Sequence, residues 1–286
     1  MTEAIDYKRM PLDEVTDTQI TEFTEMILWE KNAKMPNYKR ITIITGATSG
    51  IGEATARKFI AAGFGVVGNG RNAAKLASLE KELGAEFCGI AGDAADSALL
   101  ERLFAAAVER FGRPADIVVA NAGRGLGGSV MDSDLSQFNE VLKTNVVGVL
   151  ALLQKASQKM LDKQQRDYPN SSADIVIVGS VVGRNISPFS AVYGATKFAV
   201  HALAESLRRE VGPKGIRVSL VEPGFVLSGF QAAAGYSDAM VQGFKDKCGP
   251  LLLGEDVADA IHFIVTRPPH VHIGDIVIRP TRQDYP

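Results

Sequence analysis

From residue 41 onward, short and nearly unbroken apolar runs alternate with longer stretches of helical spacing. The runs fall at 41–45, 64–68, 86–91, 116–120, 174–179, 216–221 and 276–279. A strand exposed on one face alternates apolar with polar residues, so runs without that alternation predict strands covered on both faces. Helical patterns at 51–62, 72–83, 96–111, 134–163, 191–212 and 254–267 lie between and around them. Strand, helix, strand repeated in this way requires right-handed crossovers and a parallel sheet. The expected fold is α/β: a doubly wound, parallel, seven-stranded sheet in three layers, αβα.

The first 40 residues do not share this rhythm. They are rich in charge and lack glycine, whereas the remainder holds all 28. Ile20, Phe23 and Ile27 fall at helical spacing, which predicts a short amphipathic helix around 18–31 that Pro36 ends. The chain therefore divides into an N-terminal helical extension, 1–40, and a single domain, 41–286. A surface arm, a disordered tail and an arm packed on a neighbouring subunit all suit the extension, with Trp29 as the anchor in the last case.

Charge narrows the partners. Lys plus Arg (31) nearly balance Asp plus Glu (33), leaving a net charge of -2. No field of that size draws in nucleic acid or an anionic membrane. Two cysteines, Cys88 and Cys248, make no disulfide framework, and without C-x-x-C no metal is expected. The His270-x-His272 pair lacks an adjacent acidic or cysteine partner and reads as a loop, and His201 and His262 read as packing or surface residues. The N-terminus is too polar for a secretory signal, so a cytoplasmic protein is expected.

The first strand runs directly into Thr45-Gly46-Ala47-Thr48-Ser49-Gly50-Ile51-Gly52, and a helix follows. Glycine allows a tight turn and close backbone approach. The helix N-terminus beyond it offers unpaired N–H groups and partial positive charge, which together make a seat for a pyrophosphate. The G-x-x-x-G-x-G spacing resembles the glycine motif of the short-chain dehydrogenase/reductases, in their compact single-domain branch. The resemblance covers residues 40 to about 282 and implies a Rossmann fold that binds a nicotinamide dinucleotide.

The second strand is followed by Gly70, Arg71 and Asn72, where an NAD enzyme would carry an acidic residue for the ribose 2′-hydroxyl. A guanidinium instead suits a 2′-phosphate, so NADP(H) is the expected cofactor. Some NADP-dependent relatives carry a second basic residue where this chain has Ser49. The resemblance implies that Gly46, Thr48, Ser49, Gly50, Ile51 and Gly52 seat the pyrophosphate, that Asp93 bonds the adenine, and that Asn72 and Ala94 also belong to the cofactor site with Arg71. Asn121-Ala122-Gly123 resembles the family's N-N-A-G, with Ala120 in place of the first asparagine. Pro223, Gly224, Val226 and Ser228 resemble P-G-x-V-x-T, which holds the nicotinamide; the glycine-bearing stretch 229–250 after it suits a mobile lid.

Tyr193 and Lys197 stand four residues apart, on one face of a helix. A nearby cation lowers a phenol pKa toward the working pH. With Ser180 and Asn145 they match the family's Asn–Ser–Tyr–Lys tetrad: Ser180 bonds the substrate oxygen, Tyr193 donates the proton, Lys197 bonds the ribose and tunes Tyr193, and Asn145 orients a water leading to Lys197. The resemblance thus implies hydride transfer to a carbonyl, or from a primary or secondary alcohol. A catalytically silent NADP-binding sensor of the same fold is the alternative. The C-terminal Arg279-Pro280-Thr281-Arg282-Gln283 is similar to a subgroup that includes 3-hydroxy acid and serine dehydrogenases and clavulanic-aldehyde-type reductases. It implies a small polar substrate, with Arg124 and Arg184 as candidate partners for an anion. The family also implies a homo-oligomer, tetramer or dimer, built on the two long helices.

Overall fold

The computed structural model describes residues 38–285; the expected arm helix, with Trp29, lies outside them. The strands are β1 (Ile41–Ile44), β2 (Gly65–Gly70), β3 (Phe87–Ala91), β4 (Ile117–Ala120), β5 (Ala173–Val178), β6 (Ile216–Pro223) and β7 (Asp275–Ile278). They form one sheet in the order β3-β2-β1-β4-β5-β6-β7, and every pairing is parallel. This is the doubly wound Rossmann architecture. The order reverses between β1 and β4, the switch point at which such sheets open a crevice beyond the strands' carboxyl ends. β6 runs two residues past the expected end because Glu222 and Pro223 still pair with Val277 and Ile278.

The helices are α1 (Gly50–Ala61), α2 (Ala73–Leu83), α3 (Ser97–Phe111), α4 (Phe138–Leu142), α5 (Gly148–Asp167), α6 (Ala191–Val211), α7 (Phe230–Ala233), α8 (Asp238–Cys248) and α9 (Gly254–Val265). Their apolar stripes form two cores, one on each face of the sheet. Leu103, Phe104 and Phe111 of α3, Leu152 and Met160 of α5 and Val200 of α6 fill one. Phe59 of α1, Leu76 and Leu79 of α2 and Val257 and Ile261 of α9 fill the other. Each fully buried side chain of this size contributes about 1.5–3 kcal/mol. Local signals set the ends: the Asp96 carboxylate accepts the Ala98 N–H at 2.9 Å, and left-handed Gly112 closes α3.

The expected single helix over 134–163 is instead α4, a π-helical turn at Lys143–Val147, and α5. Such turns favour functional sites, and this one carries Asn145. At the opposite ends of the strands, buried Asp174 binds Arg217 at 2.7 and 2.9 Å and Arg40 at 2.7 Å. Arg217 also donates to the carbonyls of Val265, Arg267, Pro268 and Val271. A buried carboxylate is tolerated when cations and hydrogen bonds replace its water in this way.

Candidate active site

A cleft of about 1020 Å³ lies along the carboxyl ends of the strands. That is at the top of the roughly 300–1,000 Å³ usual for ligand sites. Gly46, Thr48, Ser49, Gly50 and Ile51 form one wall. Gly46 has φ +68° and Gly50 φ +54°, conformations that disfavour a side chain. Gly52 lies beneath the turn rather than on the wall; a Cβ there would come 2.2 Å from the Gly46 carbonyl oxygen. Ser49, at the N-cap of α1, makes no side-chain capping bond, so the helix's first N–H groups are left for whatever the cleft binds.

Asn121 and Asn145 brace the two sides of this wall. Asn121 Nδ2 donates to the carbonyls of Thr45 (3.0 Å) and Gly46 (3.1 Å), fixing the turn against the end of β4. Asn145, 1% exposed, accepts the Arg124 N–H at 2.8 Å and donates to the Arg124 carbonyl at 2.8 Å and to Thr196 Oγ1 at 3.1 Å. It therefore ties the loop after β4 to α6, a positioning contact beyond the expected water relay. Ala122, Gly123, Ala94, Pro223, Gly224, Val226 and Ser228 all line the cleft.

Asn72 does not line it. Its side chain accepts the Lys75 N–H at 3.0 Å and caps α2. Asp93 lines the cleft but is engaged: Lys143 Nζ lies 2.7 Å away, and that bond, with one from the Ala95 N–H, holds its carboxyl below the usual range. Arg71 is 77% exposed and lies 3.8 Å from Glu140, an exposed pair worth little.

At the other end stand Ser180, Tyr193 and Lys197. Ser180 caps a short 3-10 turn, its Oγ accepting the Val182 N–H. Its hydroxyl neighbours the Tyr193 phenol closely enough to lower that group's pKa. Desolvation raises the Tyr193 phenol well above its ordinary value, and the neighbouring Ser180 hydroxyl offsets only part of this. This reverses the expected downward shift. The Lys197 ammonium is 5.7 Å from the Tyr193 ring centre and donates to the Val178 carbonyl at 2.7 Å; burial lowers its pKa to about 8. The phenol is thus held in its protonated, donating form.

Sequence reasoning missed three supports of this site. His201, one further turn along α6, accepts the Ser180 N–H on Nε2 at 3.3 Å. Its Nδ1 lies 3.7 Å from fully buried Glu222, which Arg184 binds through Nε at 2.9 Å. Arg184 also reaches Asp275 at 3.5 Å and stands outside the cleft. The imidazole fits because Gly179 and Gly183 flank it; a Cβ on either would lie 2.4 Å from Nε2. The second support is Gln283, whose Oε1 accepts the Phe225 N–H at 2.9 Å and ties the C-terminal segment to the loop after β6. The third is helical structure in the stretch 229–250, expected as a lid, which carries α7 and α8 where no helix was expected. Its glycines Gly229, Gly235 and Gly243 have open space where a side chain would go.

Residues 40–237 match the family model described as short chain dehydrogenase. An uncharacterized oxidoreductase of Staphylococcus epidermidis is 32% identical over 85% of this chain and 97% of its own length. Among solved structures, the closed form of a serine dehydrogenase complexed with NADP+ superposes with a TM-score of 0.75. It is 29% identical, over 86% of this chain and 96% of that one. A 3-ketoacyl-(acyl-carrier-protein) reductase from Brucella melitensis complexed with NADH gives a TM-score of 0.75. Its identity is 26%, over 86% of this chain and 98% of that one. The chain belongs to the short-chain dehydrogenase family, and it is an oxidoreductase by kinship on both counts.

Proposed function

We propose that this short-chain dehydrogenase is an NADP(H)-dependent oxidoreductase acting between a carbonyl and the corresponding primary or secondary alcohol. The observation that carries the reading is the half-buried Tyr193 phenol, beside Ser180 and one turn from Lys197, in the same cleft as the uncapped glycine turn. The walls fit a dinucleotide: the positive-φ glycines and the free N-terminus of α1 suit a pyrophosphate. The side chain of Arg71 stands exposed just past β2, a strand that ends in Gly70 rather than in a carboxylate, and its pairing with Glu140 at 3.8 Å is open to solvent. The NADP+ complex of the serine dehydrogenase neighbour supports that preference.

A bound reduced nicotinamide supplies the hydride. Ser180 and Tyr193 hold the carbonyl oxygen, and Tyr193 gives it the proton as negative charge develops there. Lys197, braced on Val178, keeps a cation near the phenolate that this leaves. In oxidation the tyrosinate takes the alcohol proton. Tyr193→Phe is expected to cut NADPH-dependent carbonyl reduction by about 10²–10⁴-fold while NADPH fluorescence still reports binding. Near-normal turnover would refute the assignment.

A homo-oligomer joined through α5 and α6 is supported by Val147, Leu150 and Phe198, which are 57%, 49% and 42% exposed on or beside those helices. Sedimentation velocity measures it.

A further inference from the structure

The cleft has two chemically different halves. Away from Tyr193 the cations are engaged with acids: Arg71 and Arg124 pair with Glu140 at 3.8 and 3.1 Å, and Lys143 pairs with Asp93 at 2.7 Å. Toward Tyr193 the walls are aromatic: Phe189, Phe225, Phe230, Tyr236 and Phe244. The Phe230 ring stands 5.4 Å from the Tyr193 ring, Phe225 and Phe244 stack at 4.2 Å, and Tyr236 stands 6.1 Å from Phe244. Phe225, Phe230, Tyr236 and Phe244 are only half-buried, so apolar area remains for a substrate to cover.

Two cations reach this half, and both are engaged. Lys197 donates to the Val178 carbonyl, and Lys247 lies 3.2 Å from Asp284. The candidate Arg184 is bound to Glu222 and Asp275, outside the cleft. A carboxylate brought beside Tyr193 would lose its water, and the ammonium near it, Lys197, is already held on the Val178 carbonyl, which makes the exchange costly.

The geometry points to an uncharged substrate: a carbonyl compound bearing an aromatic or bulky alkyl group that packs on Phe230, Tyr236 and Phe244. This rests on the carbonyl-reductase reading and replaces the small polar substrate that the C-terminal motif implies. The lid supplies those three rings, so the same segment that closes the cleft also selects what enters it.

The test compares 3-oxobutanoate with its methyl and benzyl esters, which share one reacting ketone and differ in charge and apolar area. Initial rates of NADPH oxidation are expected to give kcat/KM on the order of 100-fold higher for the benzyl ester than for the anion. The methyl ester should fall between them. Phe244→Ala should lower the benzyl-to-methyl ratio by about tenfold with NADPH affinity unchanged; Phe244→Leu serves if the alanine variant does not fold. Equal or better turnover of the anion, or NADP+-dependent oxidation of L-serine outpacing reduction of the benzyl ester, overturns the inference but leaves the reductase reading standing. Binding of NADPH with reduction of none of the three ketones overturns both.

Discussion

Acid should loosen this enzyme through His201. The imidazole is 13% exposed, and its pKa falls from 6.5 to about 4, chiefly by burial. Glu222 pulls it back up, while Lys197 and Arg184 push it further down. Each tenfold displacement of a proton equilibrium is worth about 1.4 kcal/mol, so a drop of this size amounts to about 3 kcal/mol. The sign follows from which state holds the proton. Between pH 6.5 and about 4 the unfolded chain binds it and the native chain does not, so stability falls as pH falls. About 2 kcal/mol of it is gone by pH 5. Protonation also places a hydrogen on Nε2, where the Ser180 N–H now donates, so the serine loses its brace.

His201→Gln retains an acceptor and does not titrate. Urea unfolding of both proteins from pH 7 to pH 5 is expected to show the wild type losing about 2 kcal/mol more than the variant over that window. Parallel curves would sink the argument and leave the imidazole as mere packing.

Other substitutions probe other levels. Gly52→Ala drives a methyl group against the Gly46 carbonyl, so NADPH affinity measured by calorimetry should fall by more than about tenfold while the circular dichroism spectrum persists. Arg71→Glu replaces the exposed cation at the end of β2 with a repelling carboxylate; the ratio of NADPH to NADH affinity should drop by about 100-fold. Arg217→Met removes the side-chain donor of the Arg267 and Val271 carbonyls, while Val265 keeps Arg40 and Pro268 keeps the Val271 N–H, and it removes the bidentate partner of Asp174. The expected cost is about 3–5 kcal/mol, read as a Tm lower by roughly 6–20 °C.

The fold was legible in the sequence because its signal is local and repeated: each strand is an apolar run, and each helix is a period. The strand limits that moved, such as those of β6, moved where pairing with a later strand decides the end. The cofactor turn and the Tyr193–Lys197 pair were legible because their residues are adjacent or one turn apart. His201 and Arg184 were not. Their partners Ser180 and Glu222 lie 21 and 38 residues away, and only the crossover brings them together. The Tyr193 shift was misjudged for a related reason. Spacing reveals the neighbouring cation but not how far the phenol is desolvated, and desolvation wins.

The lid's open glycines carry a consequence for descent. The buried cluster of Asp174 and Arg217 sits at the far ends of the strands, and Gly229 and Gly243 have open space for a side chain. Diet and skeleton are therefore written in separate stretches of this gene product. Lineages sharing this scaffold are free to acquire new tastes by drift in some twenty codons, with no compensating change in the body that holds the chemistry.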